Sequence, residues 1–309
     1  MLRSTLLALS RNSKVEQIAR DNPAARSLVD RFVAGTQIPD AVRVCDELST
    51  SGRLATVDYL GEDTTDLATA KQTAAAYVAL LDAMDEADLT ARVEVSIKLT
   101  ALGLALPADG ARIAEELATE ICAKAAALGT TVTVDMEDHT TTDATLEIVR
   151  NLRQDFPSTG AVLQAYLHRT QGDCVDLSYP GSRIRLCKGA YREPASVAFQ
   201  DKHDVDVSYV RCMAVLLAGS GYPMFATHDP RLIEIAGSLV VKAGREQGSY
   251  EYQMLHGIRP DEQLRLAGAG ERVRVYVPFG SEWYGYLMRR LAERPANLGL
   301  LARSLTSKG

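Results

Sequence analysis

The chain has 309 residues, is 46% hydrophobic and 24% charged, and carries a formal charge of −6. That length bounds one domain of barrel size or two smaller ones. An acidic balance without a basic run or tail argues against a nucleic-acid partner, because phosphates need clustered Lys and Arg.

Cys45, Cys122, Cys174, Cys187 and Cys212 are scattered, with no Cys-x-x-Cys pair and no His at zinc spacing; a reducing, cytoplasmic setting fits them. The apolar run within residues 1–10 is too short for a signal and is interrupted by Arg11. No other window approaches the ~20 apolar residues of a spanning helix.

Residues 15–35 and 39–51 read as two helices, a cap over 1–53 ahead of the main unit. From there β-rich runs alternate with longer stretches of helical periodicity. Strands are expected at 54–60, 93–99, 131–136, 161–167, 184–189, 223–227, 250–255 and 272–277. Helices are expected at 65–86, 111–128, 142–154, 195–219, 231–244 and 282–303. Eight β/α units within residues 54–309 match a (β/α)8 barrel, in which the active site lies at the C-terminal strand ends. A doubly wound open sheet is the alternative; it normally carries a Gly-x-Gly-x-x-Gly turn after its first strand, which this chain lacks.

The polar residues concentrate at those strand ends. Lys98 closes the second strand and Asp135, followed by Met136 and Glu137, closes the third, so the two could pair inside the mouth. A buried ion pair that only satisfies itself is the bland alternative, but burying two charges is costly enough to favour a functional pair. Alternation puts Gln164 and Tyr166 on one side of the fourth strand. Arg185 and Lys188 precede Gly189, which lets a ligand approach the backbone closely and suits a phosphate-bearing cofactor. His228 ends the sixth strand, where a structural hydrogen-bonding role is the commoner one. The five His form no close ligand pair, so no metal site is expected. On the last helix Tyr286, Arg289 and Arg290 share a face, a fork of guanidiniums for a small carboxylate unless it is merely a solvated basic face.

Together these segments resemble proline dehydrogenase in its single-domain bacterial form: Ser96-Ile97-Lys98-Leu99, Asp135 with Glu137, Gln164-Ala165-Tyr166, Arg185-Leu186-Cys187-Lys188-Gly189-Ala190-Tyr191, Phe225-Ala226-Thr227-His228 and Tyr286-Leu287-Met288-Arg289-Arg290. Six motifs in the right order over the whole barrel are very specific. The resemblance implies a distorted barrel that binds FAD non-covalently and oxidises L-proline to Δ1-pyrroline-5-carboxylate by hydride transfer from Cα. Arg289, Arg290 and Lys98 would hold the carboxylate, with Asp135 orienting Lys98. Leu186, Tyr191, Tyr276 and Tyr286 would wall the ring, and the Tyr276 phenol would exclude a 4-hydroxyl group. For the cofactor the resemblance implies Arg185 against the isoalloxazine, Met136 (through its backbone), Gln164 and Tyr166 at the flavin, Lys188, Gly189 and Ala190 along pyrophosphate and ribitol, and Thr227 with His228 along the nucleotide.

It further implies a quinone-type electron acceptor, a transient peripheral contact with the membrane, and a separate pyrroline-5-carboxylate dehydrogenase, since the aldehyde dehydrogenase module of bifunctional relatives does not follow. Arg192 stands where many bifunctional members have a tryptophan. Three other readings are a lyase using Lys98 or Lys188 as a Schiff-base nucleophile, a flavin-dependent folate reductase, and a ligand sensor.

Overall fold

Strand alternation decides what lies inside this molecule and what lies outside. The computed structural model describes residues 29–293, with the side chains of 289–293 outside the description. Eight parallel strands, β1 (Leu54–Tyr59), β2 (Val93–Ile97), β3 (Val132–Val134), β4 (Gly160–Gln164), β5 (Arg183–Cys187), β6 (Tyr222–Ala226), β7 (Glu251–Leu255) and β8 (Val273–Phe279), close in sequence order, with β1 paired to both β2 and β8. This is the (β/α)8 barrel, not the open sheet. Every strand begins within one residue of its expected start.

Val57, Val95, Ile97, Val134, Leu163, Ile184, Leu186, Phe225, Val275 and Val277 join the helices in one apolar core, so that core lies between barrel and helix ring. The alternate positions face the lumen and are polar. Glu94 on β2 bonds Arg183 on β5, Arg185 on β5 bonds Gln253 on β7, and Tyr276 on β8 bonds Asp135 beyond β3. Bonds between non-neighbouring strands can only cross the interior.

The ring helices are α1 (Ile38–Thr50), α2 (Leu67–Glu86), α3 (Gly110–Ala127), α4 (Thr142–Asp155), α5 (Thr170–Asp176), α6 (Lys202–Ala218), α7 (Pro230–Lys242) and α8 (Pro260–Gly268), and α9 (Trp283–Glu293) follows β8. Their starts have local causes: the carboxylates of Asp66, Asp201 and Asp229 accept from the first-turn N–H groups of α2, α6 and α7. The cap at Asp201 moves the start of α6 past the expected residue 195, and Pro194–Ala198 instead carries a bridge between Ala198 and Leu167. α5 and α8 were implied by the count of eight β/α units but not delimited, being too short for a periodic signal.

α1 packs against β8, β1 and α2, filling the ring position between the last and first strands, so it belongs to the barrel wall more than to a cap. Of the helix expected over 15–35, residues 29–32 are helical and the part before 29 lies outside the described residues; so does the part of the last helix beyond 293. α9 is thereby displaced onto the C-terminal mouth, where Trp283, Tyr284, Tyr286, Leu287 and Met288 cluster with Phe32, Val33, Leu60 and Ile258.

Candidate active site

The C-terminal end of the lumen holds a network drawn from five strands. Lys98 Nζ donates to both carboxylate oxygens of Asp58, each at 2.7 Å, and to the Tyr276 hydroxyl at 3.4 Å. The Tyr276 hydroxyl donates to Asp135 Oδ2 at 2.6 Å. Asp135 Oδ1 accepts from Arg185 Nη1 at 2.7 Å and from the Ser96 hydroxyl at 2.8 Å. The Arg185 guanidinium lies 5.3 Å from the centre of the Tyr276 ring. Asp58, Asp135, Lys98 and Arg185 thus form two carboxylates and two cations, all almost fully buried.

Burial alone would push Lys98 down, but the carboxylates of Asp58 and Asp135 outweigh it and hold the ammonium above its usual range. Burial raises the carboxyl of Asp58, and Lys98 opposes that rise. Lys98 and Asp135 are 3.7 Å apart, so the direct partner of Lys98 is Asp58, and the pairing expected from sequence is the looser of its two. Asp135 bonds most closely to Arg185 and Tyr276. Burial raises the Tyr276 phenol well above its ordinary value, keeping it a donor.

One layer down lies a second ionic group. Glu94 accepts from Arg183 Nη2 at 2.6 Å and from the hydroxyls of Thr56, Thr131 and Thr133, with Arg185 and Arg274 within 4 Å. Its burial would raise the carboxyl, but the three guanidiniums outweigh burial and hold it far below the usual range. Arg274 pairs with Glu251 at 2.7 Å, and Glu251 receives the side-chain amide of Gln253 at 2.6 Å.

Around the rim, Gln164 Nε2 donates to the Glu137 carbonyl at 2.7 Å. The Glu137 carboxylate accepts from the Thr100 amide at 3.0 Å and from its hydroxyl, and burial pushes this carboxyl up to about 7. Gly189 has φ +110°, and a Cβ there would lie 2.4 Å from the ring of Tyr166, so only glycine fits the turn after β5. Tyr166 donates to Glu193 at 3.2 Å. Lys188 bonds Asp206 at 2.5 Å and lies 3.4 Å from Asp229, the cap of α7. His228 Nε2 accepts from the Leu255 amide at 2.9 Å, and Thr227 Oγ1 accepts from the Asp229 amide at 3.2 Å. Ala190 and Tyr191 are half-buried beside them.

One expectation is corrected by these positions. Leu186 is fully buried in the core between barrel and helices, because alternation turns it opposite to Arg185, so it does not wall the mouth. Met136 packs its side chain into that core, which is compatible with the backbone role expected of it. Tyr286 is buried among the apolar residues of α9 and the segment before α1. The side chains of Arg289 and Arg290 lie outside the described residues.

Sequence reading missed Asp58, Glu94, Glu251, Gln253 and Arg274. The signal was present: each is a polar residue flanked by apolar ones in a strand, which in a barrel covered by helices marks a lumen position. All five cysteines are free, and among the described residues no cluster of His, Cys, Asp and Glu could hold a metal. Among those residues no helix is long and apolar enough to cross a membrane.

A closed (β/α)8 barrel with a buried ionic network at its C-terminal strand ends has the architecture in which barrel enzymes carry their active sites. The proline dehydrogenase family model matches residues 41–303. Proline dehydrogenase 1 of Bacillus subtilis subsp. natto is 39% identical over 312 residues, covering 100% of both chains. Proline dehydrogenase of Deinococcus radiodurans is 38% identical, covering 99% of this chain and 98% of its own. The barrel superposes on proline utilization A from Bdellovibrio bacteriovorus, inactivated by N-propargylglycine, with TM-score 0.81 and 24% identity over 92% of this chain and 34% of that one, a likeness of fold. The chain belongs to the proline dehydrogenase family and is an enzyme of that family's reaction, the oxidation of L-proline to Δ1-pyrroline-5-carboxylate. The family is FAD-dependent.

Proposed function

We propose that this mouth binds FAD along the rim from β4 to β7 and L-proline between the flavin and α9, and that a quinone-type acceptor re-oxidises the flavin. The residues present fit such a cofactor. Gly189 supplies a turn with no room for a side chain, and the donors around it are of the mixed kind a flavin dinucleotide needs: the Gln164 amide, the Arg185 guanidinium, the Lys188 ammonium, and Thr227 and His228. When bound, FAD accepts the hydride leaving proline.

The product fixes which hydride. In Δ1-pyrroline-5-carboxylate the C=N bond lies at the ring carbon remote from the carboxylate, so the hydride leaves Cδ and not Cα as the sequence reading had it. The amine must first be neutral; loss of hydride from Cδ then leaves the protonated imine. Arg185 stabilises the negative charge that gathers on the flavin side. Lys98, kept charged by Asp58, meets the carboxylate, and Arg289 and Arg290 supply the remaining positive charge. That supply is needed because Asp58, Asp135, Lys98 and Arg185 already sum to zero. Tyr191, Tyr276 and Tyr286 bound the ring.

The observation that carries the reading is the Lys98–Asp58–Tyr276–Asp135–Arg185 network, a buried ionic frame at the strand ends. A visible spectrum of the purified protein, followed by anaerobic L-proline, tests it. A flavin spectrum that bleaches with proline and not with 4-hydroxyproline is the expected result. No flavin after reconstitution with FAD removes the reading. Re-oxidation by a soluble quinone faster than by oxygen supports the acceptor, and co-sedimentation with vesicles on reduction tests a transient membrane contact.

A further inference from the structure

Arg185 is held in place by three side chains, one charged and two neutral. Its Nη1 meets the Asp135 carboxylate at 2.7 Å and the Ser96 hydroxyl at 3.0 Å, whereas its Nε donates to a neutral acceptor, Gln253 Oε1, at 2.5 Å. Nη2 makes no hydrogen bond and lies 3.6 Å from Glu94. The orientation of the Gln253 amide is dictated from its other end. Its Nε2 lies 2.6 Å from Glu251 Oε1, and an ionised carboxylate only accepts, so the amide nitrogen must face Glu251 and the oxygen must face Arg185.

Glu251 is fully buried and is itself fixed by Arg274 at 2.7 Å and by the Tyr222 hydroxyl at 3.1 Å. The chain of contacts therefore runs Arg274, Glu251, Gln253, Arg185. A carboxylate in the place of Gln253 would meet the guanidinium directly, and in a buried site that attraction would neutralise much of its charge. The amide gives Arg185 the same hydrogen bond without the charge.

We infer that Gln253 is a positioning residue for the oxidation: it fixes the aim of Arg185 while keeping the Glu251 charge one side chain away, so that the guanidinium charge stays available to the reducing flavin. This rests on the reading that places Arg185 against the isoalloxazine. Gln253 thereby raises the electron affinity of the bound flavin without touching it.

The test is the reduction potential of FAD-reconstituted protein, read by equilibration with a reference dye. In the double variant Glu251→Gln/Gln253→Glu the two side chains exchange character. The amide now at position 251 can donate to the carboxylate now at position 253, which accepts from Arg185 Nε; the bond from Arg274 Nε is given up while Arg274 Nη2 keeps the other oxygen, and the negative charge moves next to Arg185. The expected result is normal FAD content and a tenfold or greater shift of the flavin towards the oxidised form at fixed dye poise, equivalent to about 30 mV per tenfold for a two-electron couple. A wild-type potential in the exchanged protein overturns the inference, since a purely structural role survives the exchange.

Gln253→Met serves as the second variant if the exchanged protein does not fold. It removes the acceptor, and the same direction of shift is expected; an unchanged potential again overturns the inference. Arg185→Met separates the two levels. If it shifts the potential and the Gln253 variants do not, the role of Gln253 falls and Arg185 stays at the flavin. If none of them shifts it, the placement of Arg185 falls as well, and the inference with it.

Discussion

The lumen carries two ionic layers, and they are built to opposite ends. In the lower layer Glu94 is surrounded by Arg183, Arg185, Arg274 and three threonine hydroxyls, and its carboxyl is held far below the usual range. In the upper layer and rim, burial acts with less compensation: it raises Asp58 despite Lys98, and it raises Glu137, whose partners are the amide and hydroxyl of Thr100. The comparison teaches that the same residue types serve as a floor where every charge is over-answered and as a site where the balance is close enough for a ligand to tip it.

The floor should fail by stability. Glu94→Gln leaves three guanidiniums without their carboxylate, and breaking a buried pair in this way costs about 3–5 kcal/mol; urea unfolding is the measurement, and a loss below about 1 kcal/mol would dissolve the distinction between the layers. The rim should respond to pH. With the Glu137 carboxyl at about 7 in the folded chain against an ordinary 4.5, the folded state retains a proton that the unfolded state has lost across that window. Its contribution is present below about pH 4.5 and is lost as pH rises to about 7, an effect on the order of 3 kcal/mol at 1.36 kcal/mol per unit. Unfolding free energy measured across this range should fall less steeply in Glu137→Gln.

The mouth itself should fail by binding. Arg290→Ala is expected to raise KM for proline about 100-fold, with FAD retained and thermal stability little changed, because a charge-assisted carboxylate contact is worth about 2–3 kcal/mol. An unchanged KM removes Arg290 from the carboxylate. Asp58→Asn should act more gently, raising KM about tenfold with a smaller effect on kcat. Without its closest carboxylate the Lys98 ammonium loses support, so KM should climb towards alkaline pH more steeply than in the parent; a parallel profile would show that Asp58 does not govern Lys98.

Much of this was legible because the barrel repeats one rule. Every strand has apolar residues on alternate positions and a helical stretch after it, so period alone locates the strands. The rim residues were legible because Lys98, Asp135 and Lys188 directly follow strand ends and Arg185 sits two residues before the end of β5. The floor was not read, although Glu94 sits between Val93 and Val95 in plain sight. In an isolated strand such a residue reads as solvent-facing, and only closure of the sheet turns it inward. The Lys98–Asp58 pair was missed for a related reason: β1 and β2 are neighbours, but their relative height depends on register, with Asp58 opposite Ser96 and Lys98 two residues above. Leu186 was misplaced because a motif names neighbours in sequence, whereas a strand sends neighbours to opposite faces.

The position of α1 between β8 and β1 has a consequence for how this enzyme can change. In a barrel whose last helix closes the ring, that helix is part of the vessel. Here the vessel is sealed by a segment that comes before the first strand, and α9 is left as its door. Substitutions or a new tilt in α9 can therefore be made without opening the wall, because the ring position between β8 and β1 is filled from the other end of the chain.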